Sequence, residues 1–417
     1  MQRAEPSRQK IFLLVICLGM VSLGLILGEM TIRLLGTYDS DGNFRLTIFN
    51  NSLDIKPFHL PVKFSKSIID QYHVRPSYLM YHSTLGWVPR PRSTSDNGLY
   101  HANDEGIRRG SIDENTRSHN NDLRIVLLGD SYTHGDEVPF EHTWGYYLTK
   151  QLAQRGIQAD VINLGVPAYG MDQAFLRWKT FAEKFSADIV IFGFQPENVK
   201  RNLNIFRNLY YKSSAMPFSK PRFILRGNQL QAINSPTVPP DKIEEIFMNF
   251  NAWENRKYEY YYRSQDYEDF IWLKSKFLGA VIGGIDHLWD ESREREFYRI
   301  DREPSRLGLT ILDELRSDVE HRNAAFLVTI LIPKWDFHYV RRNRPFPYQD
   351  LLQVIKHKYD TIETSTELFH HRRNGDFNEL FSQLHYSAKG NEIVATVIAK
   401  AIAARTLSPK INLKTIP

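Results

Sequence analysis

Apolar and polar positions follow three different patterns along the chain. From Ile11 to Leu27, "IFLLVICLGMVSLGLIL" carries no charge over 17 residues. Residues 30–120 show no sustained period and are rich in Asn, Ser, Asp and Pro, with "LGWVPRPRSTSDNG" at Leu85–Gly98 reading as a loop. From Leu123 a new rhythm begins. "LRIVLL" (Leu123–Leu128), "ADVINL" (Ala159–Leu164), "ADIVIFGF" (Ala187–Phe194) and "AAFLVTILI" (Ala324–Ile332) are short continuous apolar runs, as expected of strands covered on both faces. A weaker strand is expected around Tyr359–Glu363. Between these runs, helical spacing predicts helices at His142–Gln154, Met171–Lys184, Ser305–Arg322, Tyr348–Lys358 and Gly390–Arg405. Strands alternating with helices predict an α/β fold, a three-layer doubly wound parallel sheet.

The rhythm breaks between Glu197 and Pro304. There "FIWLKSKFLGAVIGGIDHLW" (Phe270–Trp289) is apolar, but Lys274, Lys276 and Asp286 interrupt it. Each charge would cost a few kcal/mol in a bilayer, so an amphipathic helix is expected rather than a second span. It has three possible seats: the core, the mouth of a site, or the membrane; packing on the core is the default. The expected organisation is a cytoplasmic tip and anchor at 1–29, an irregular lead-in at 30–120, and a domain at 121–410 with an insertion at about 198–304.

The N-terminal run is at the short end for a transmembrane helix, and Arg3, Arg8 and Lys10 precede it. A cleaved signal peptide shares the basic start and apolar stretch. The length of the run, with no small-x-small cleavage site before Glu29, favours an uncleaved anchor. Its basic N-terminal flank predicts a single-pass protein whose remainder is extracytoplasmic, periplasmic or extracellular. The only cysteine, Cys17, lies within the run, so the exported part has no disulfide and depends on its core. A net charge of +5, from 53 basic and 48 acidic residues, leaves no electrostatic footprint for nucleic acid.

Four short motifs fall at predicted strand ends, the edge where a doubly wound sheet binds its ligands. Gly129-Asp130-Ser131 follows the first strand; its plain reading is a helix cap. The α/β-hydrolase nucleophile elbow does not fit, because Thr133 stands where that motif has its second glycine. Gly165 follows the second strand and can present a bare N–H or simply turn the chain. Asn198 follows the third, as an amide donor or a helix cap. His385 precedes the last helix, as a base or as filler.

In this order, Gly129-Asp130-Ser131, Gly165, Asn198 and His385 with "YSAKGN" resemble the blocks of the SGNH (GDSL-type) hydrolase superfamily. The resemblance spans about Leu123–Leu407 apart from most of the insertion. The upstream "LGWVPRP…NDEGIRRG" looks like the lead-in of membrane-anchored bacterial members. The resemblance implies an SGNH/flavodoxin-like fold, with Ser131 as nucleophile and His385 as base. It implies an oxyanion hole from the N–H groups of Ser131 and Gly165 and the amide of Asn198. One departure stands out. The family's acid lies two or three residues before the histidine, where this chain has Ser382 and Gln383. Asp376 or a backbone carbonyl is left to orient the ring; otherwise the site only binds.

The resemblance therefore implies an esterase that removes an acyl group, acetyl foremost, from an envelope glycan or another small ester. An acyltransferase of the same chemistry and a non-catalytic polysaccharide-binding or assembly protein are the alternatives. No cofactor is expected. His370 and His371 are adjacent and cannot share a helix face as ligands, so no metal is expected either.

Overall fold

A computed structural model describes residues 8–48, 51–110, 122–267, 270–288, 290–374 and 377–406. The chain forms two compact units, Met1–Ser67 with Tyr262–Arg293, and Ile68–Tyr261 with Glu294–Pro417. These boundaries differ from those expected from composition. The lead-in is divided between the two units, and part of the 198–304 insertion joins the N-terminal one.

The larger unit is built on five parallel strands, β1 (Leu123–Leu128), β2 (Ala159–Asn163), β3 (Ile189–Phe194), β4 (Ala325–Ile330) and β5 (Thr361–Glu363). Their spatial order is β5-β4-β3-β1-β2. This is the flavodoxin-like order, in which the chain leaves β1 in one direction to β2 and crosses back to β3 in the other. Right-handed crossovers in opposite directions put helices on both faces. Accordingly α2 (Trp144–Ala153) packs on α7 (Ala388–Thr406), while α3 (Met171–Phe185) packs on α5 (Glu303–His321). The central strand β3 is buried along its whole length, which accounts for its uninterrupted apolar sequence. Local chemistry sets the helix starts. Thr143 caps α2 by accepting from the Tyr146 N–H at 3.3 Å, and Pro304 stands in the first turn of α5. Further short helices that frame the sheet include α1 (Ser131–His134), α4 (Glu197–Arg201) and α6 (Gln349–Lys358).

The lead-in, expected to be irregular, carries ordered pieces that buttress this unit. A hairpin pairs Leu79–His82 with Gly86–Pro89, and a two-residue ribbon pairs His101–Ala102 with Arg108–Arg109. Trp87 is fully buried against Val166, Tyr169 and Phe218, and its indole N–H donates to the Pro167 carbonyl at 2.9 Å. Short strands with polar faces leave little periodic signal, so the sequence reads as loop.

The smaller unit contains the N-terminal helix (Arg8–Leu35) and a three-stranded antiparallel sheet, Gly36–Tyr38, Phe44–Ile48 and Asn51–Ile55. It also contains the helix Lys276–Leu288, the apolar helix of the insertion. Expected on the sheet core, that helix instead belongs to this unit, where Ala280 and Ile32 pack against Phe44, Leu46 and Ile55. Lys10–Leu35 is long and apolar enough to cross a membrane: 26 helical residues rise about 39 Å.

Candidate active site

The strand β1 runs straight into Gly129, which adopts φ 154°. A Cβ there would lie 2.3 Å from Thr133 Oγ1 and 3.1 Å from the Gly193 carbonyl, so the turn admits only glycine. Asp130 then caps α1: its Oδ1 accepts from the Tyr132 N–H at 2.9 Å, and its Oδ2 accepts from Arg201 Nη1 at 3.0 Å. Capping by Asp130 and presentation of Ser131 are therefore two parts of one turn. Ser131 is the first helical residue, at the carboxyl end of β1 and beside the switch point between β1 and β3.

His385 reaches the same point from the loop before α7. Its Nε2 lies 2.8 Å from Ser131 Oγ, and its Nδ1 lies 2.9 Å from Glu137 Oε1. The carboxylate assigns the ring proton to Nδ1, leaving the Nε2 lone pair to accept the Ser131 hydroxyl proton. Glu137 was not anticipated from the sequence. It enters from the loop after α1, far in sequence from the two positions before His385 where the acid was expected. Its Oε2 also accepts the backbone N–H groups of Gln383 at 2.7 Å, Leu384 at 2.9 Å and His385 at 3.2 Å. The carboxylate thus organises the histidine loop as well as the imidazole. Asp376 lies outside the described residues.

Electrostatics follow from these contacts. Burial works against the Glu137 charge, but the His385 bond and the backbone donors outweigh it and hold its pKa at about 2. Burial also works against a charged His385. The bond to Glu137 and the nearby charges of Asp136, Glu137 and Asp130 nevertheless raise its pKa above 6.5.

A second layer fixes Glu137, whose φ of 69° is unusual for a non-glycine residue. Its N–H donates to Tyr100 Oη at 2.8 Å. The buried Arg108 guanidinium donates to the carbonyls of His134 at 2.6 Å, Gly135 at 2.5 Å and Val138 at 2.5 Å, tying both ends of the loop. On the other side, Tyr132 Oη donates to the Leu384 carbonyl at 2.8 Å, and its ring packs 4.8 Å from that of His385.

The predicted oxyanion donors are placed differently from one another. Among the described residues, the Ser131 N–H meets no acceptor. Asn198 is buried; its Oδ1 accepts from Arg201 Nη1 at 3.2 Å, while its amide NH2 meets no acceptor among the described residues. Arg201 bridges Asn198 to Asp130 and so ties the amide to the serine turn. Burial opposes the Arg201 charge, but Glu197 and Asp130 outweigh it and keep the guanidinium protonated. Gly165 differs: its N–H donates to Asn163 Oδ1 at 2.9 Å. A Cβ on Gly165 would lie 2.5 Å from the His134 nitrogen, so this glycine lets β2 close onto α1.

A cleft of about 570 Å³ is walled by Tyr72, Tyr78, Tyr100, Asp136, Pro167 and Phe218, among others. Asp136 immediately precedes Glu137 and donates its N–H to the Ser131 carbonyl at 3.0 Å; Pro167 lies two residues past Gly165. The cleft therefore adjoins the serine loops. Among the described residues, no group of three His, Cys, Asp or Glu is placed to hold a metal ion.

No protein-family model matches the chain, and no curated protein matches its sequence. Solved structures do match. A putative lipolytic protein of the G-D-S-L family from Desulfitobacterium hafniense has 13% identity, with 67% of this chain and 99% of that chain covered at a TM-score of 0.33. A lipase/acylhydrolase from Enterococcus faecalis has 15% identity, covering 69% and 98% at a TM-score of 0.33. A psychrotrophic esterase from Pseudoalteromonas sp. has 10% identity, covering 69% and 100% at a TM-score of 0.35. These are distant likenesses, and the chemistry rests on Ser131, His385 and Glu137 themselves. The solved structures to which the chain is similar are thus, by these descriptions, a lipolytic protein of the G-D-S-L family, a lipase/acylhydrolase and an esterase.

Proposed function

We propose that the chain is a serine ester hydrolase of SGNH type, working through an acyl-serine on an acylated glycan, with acetyl as the acyl group. One observation carries this reading: His385 lies between the Ser131 hydroxyl at 2.8 Å and the Glu137 carboxylate at 2.9 Å. In the first step His385 Nε2 takes the Ser131 proton as Oγ bonds to the ester carbonyl carbon. The Ser131 N–H and the Asn198 amide donate to the oxyanion that forms. Gly165 joins them once the Asn163 side chain turns off its N–H. Collapse expels the alcohol, which takes the proton from His385. Water then repeats the sequence and releases the acid. Glu137 stabilises the imidazolium throughout, so the missing acid no longer supports a purely binding role. The neighbouring aromatic cleft supports a sugar-bearing substrate, and the N-terminal helix supports a membrane-anchored site facing away from the cytoplasm.

The test is covalent labelling with a fluorophosphonate, followed by hydrolysis of an aryl acetate. Labelling and turnover are expected in the wild type and lost in Ser131→Ala. A folded wild type that neither labels nor turns over would contradict the reading. Movement of the acetyl group to an added glycan in place of water would make the enzyme a transferase.

A further inference from the structure

Beside its long N-terminal helix, the smaller unit has a second apolar helix face that no described residue covers. On the Lys276–Leu288 helix, Gly279, Ala280 and Gly283 face the small sheet. A Cβ on Gly279 would lie 2.8 Å from both Ile55 Cγ2 and the Lys56 carbonyl. The opposite face carries Leu278, Val281 and Ile285, spaced i, i+3 and i+7, and all three are exposed, at 39%, 42% and 50%. The preceding turn, Ile271–Lys274, adds Ile271 at 79% and Trp272 at 51%. A helix that is apolar on both faces, with one face bare, needs a second apolar surface.

The contacts at the start of this helix locate that surface. Glu29, at the end of the apolar run, accepts from the N–H groups of Lys276 at 3.1 Å and Phe277 at 2.8 Å and from Ser275 Oγ at 2.8 Å. Arg33 donates to Glu29 at 2.6 Å and to the Lys274 carbonyl at 3.0 Å. Gly28 approaches the Phe277 ring so closely that a Cβ would lie 2.6 Å away. The second helix therefore begins where the uncharged stretch of the first one ends. If the first crosses a bilayer, that height is the membrane–water boundary, where tryptophan and lysine concentrate.

We propose that the Leu278–Val281–Ile285 stripe, with Ile271 and Trp272, lies in the headgroup–acyl boundary of the bilayer crossed by the N-terminal helix. Glu29 pins the interfacial helix to the span, and the exposed Lys274 reaches the lipid phosphates. The anchor is then a span plus an in-plane helix, which fixes the orientation of this unit against the membrane. The inference rests on the membrane-crossing reading of the N-terminal helix.

The test uses the full chain with Cys17→Ser, carrying a single cysteine at Val281 or Ile285 labelled with a fluorophore. The protein is reconstituted in phosphatidylcholine vesicles containing acyl-chain spin-labelled lipid. Flotation with the vesicles first establishes the span; a chain that does not float overturns both readings. In a floating chain, both labels are expected to lose at least about half their emission to the spin-labelled lipid and to resist an aqueous nickel chelate. Labels that float but are quenched only by the chelate overturn the proposal alone. Labels shielded from both quenchers overturn it in favour of a protein partner.

Discussion

Glu137 stands in a conformation that non-glycine residues seldom occupy, and its N–H, its loop carbonyls and its carboxylate are all engaged. Such a position is maintained because its surroundings over-determine it. Because His385 acts as a base only when neutral, and its pKa is raised above 6.5, hydrolysis rises with pH through that raised value. Glu137→Gln removes the charge that favours the imidazolium. Its rate limb is expected to move to lower pH while the plateau falls by about 10²- to 10⁴-fold, as measured by kcat/KM against pH. Tyr100→Phe keeps the ring in the cleft but deletes the acceptor for the Glu137 N–H. A roughly 10- to 100-fold loss in kcat with KM held is expected from the looser carboxylate.

Among the elements, the four parallel strands from β1 to β4 and the helices between them were legible because continuous apolar runs and helical stripes differ in period. Observed ends moved by up to two residues; β3 starts at Ile189 where Ala187 was expected. Ser131, Gly165, Asn198 and His385 were singled out from motif order, and the fold brings Ser131 and His385 to 2.8 Å while the Gly165 N–H is held by Asn163. Glu137 was not singled out, because it lies 248 residues from His385 and only the closed fold brings the two together. The lead-in pieces were missed for a related reason: their order comes from long-range anchors such as Trp87 on Pro167. At this scale Gly165 is a contact between elements more than a donor. Gly165→Ala drives a methyl into the backbone of α1 and is expected to cost about 1–3 kcal/mol, read as a lower urea midpoint, together with lost turnover.

For the molecule as a whole, acid sensitivity should come from the same region. His134 is fully buried, and desolvation together with Arg108 pushes its pKa down to about 4. The folded form thus binds fewer protons here than the unfolded chain, whose histidine titrates near 6.5. Stability from this group is complete above pH 6.5 and is lost as pH falls toward 4, by about 3 kcal/mol in all. The thermal midpoint is expected to drop across that window, and His134→Gln should flatten the drop.

The central claim is that Ser131 is activated by His385 under the control of Glu137. Its most direct measurement is the second-order rate of fluorophosphonate labelling in the wild type, Glu137→Gln and Asp376→Ala. A loss of about 10²-fold or more in Glu137→Gln, with Asp376→Ala at the wild-type rate, is the predicted result. Labelling of Glu137→Gln at the wild-type rate, or a comparable loss in Asp376→Ala, would contradict it.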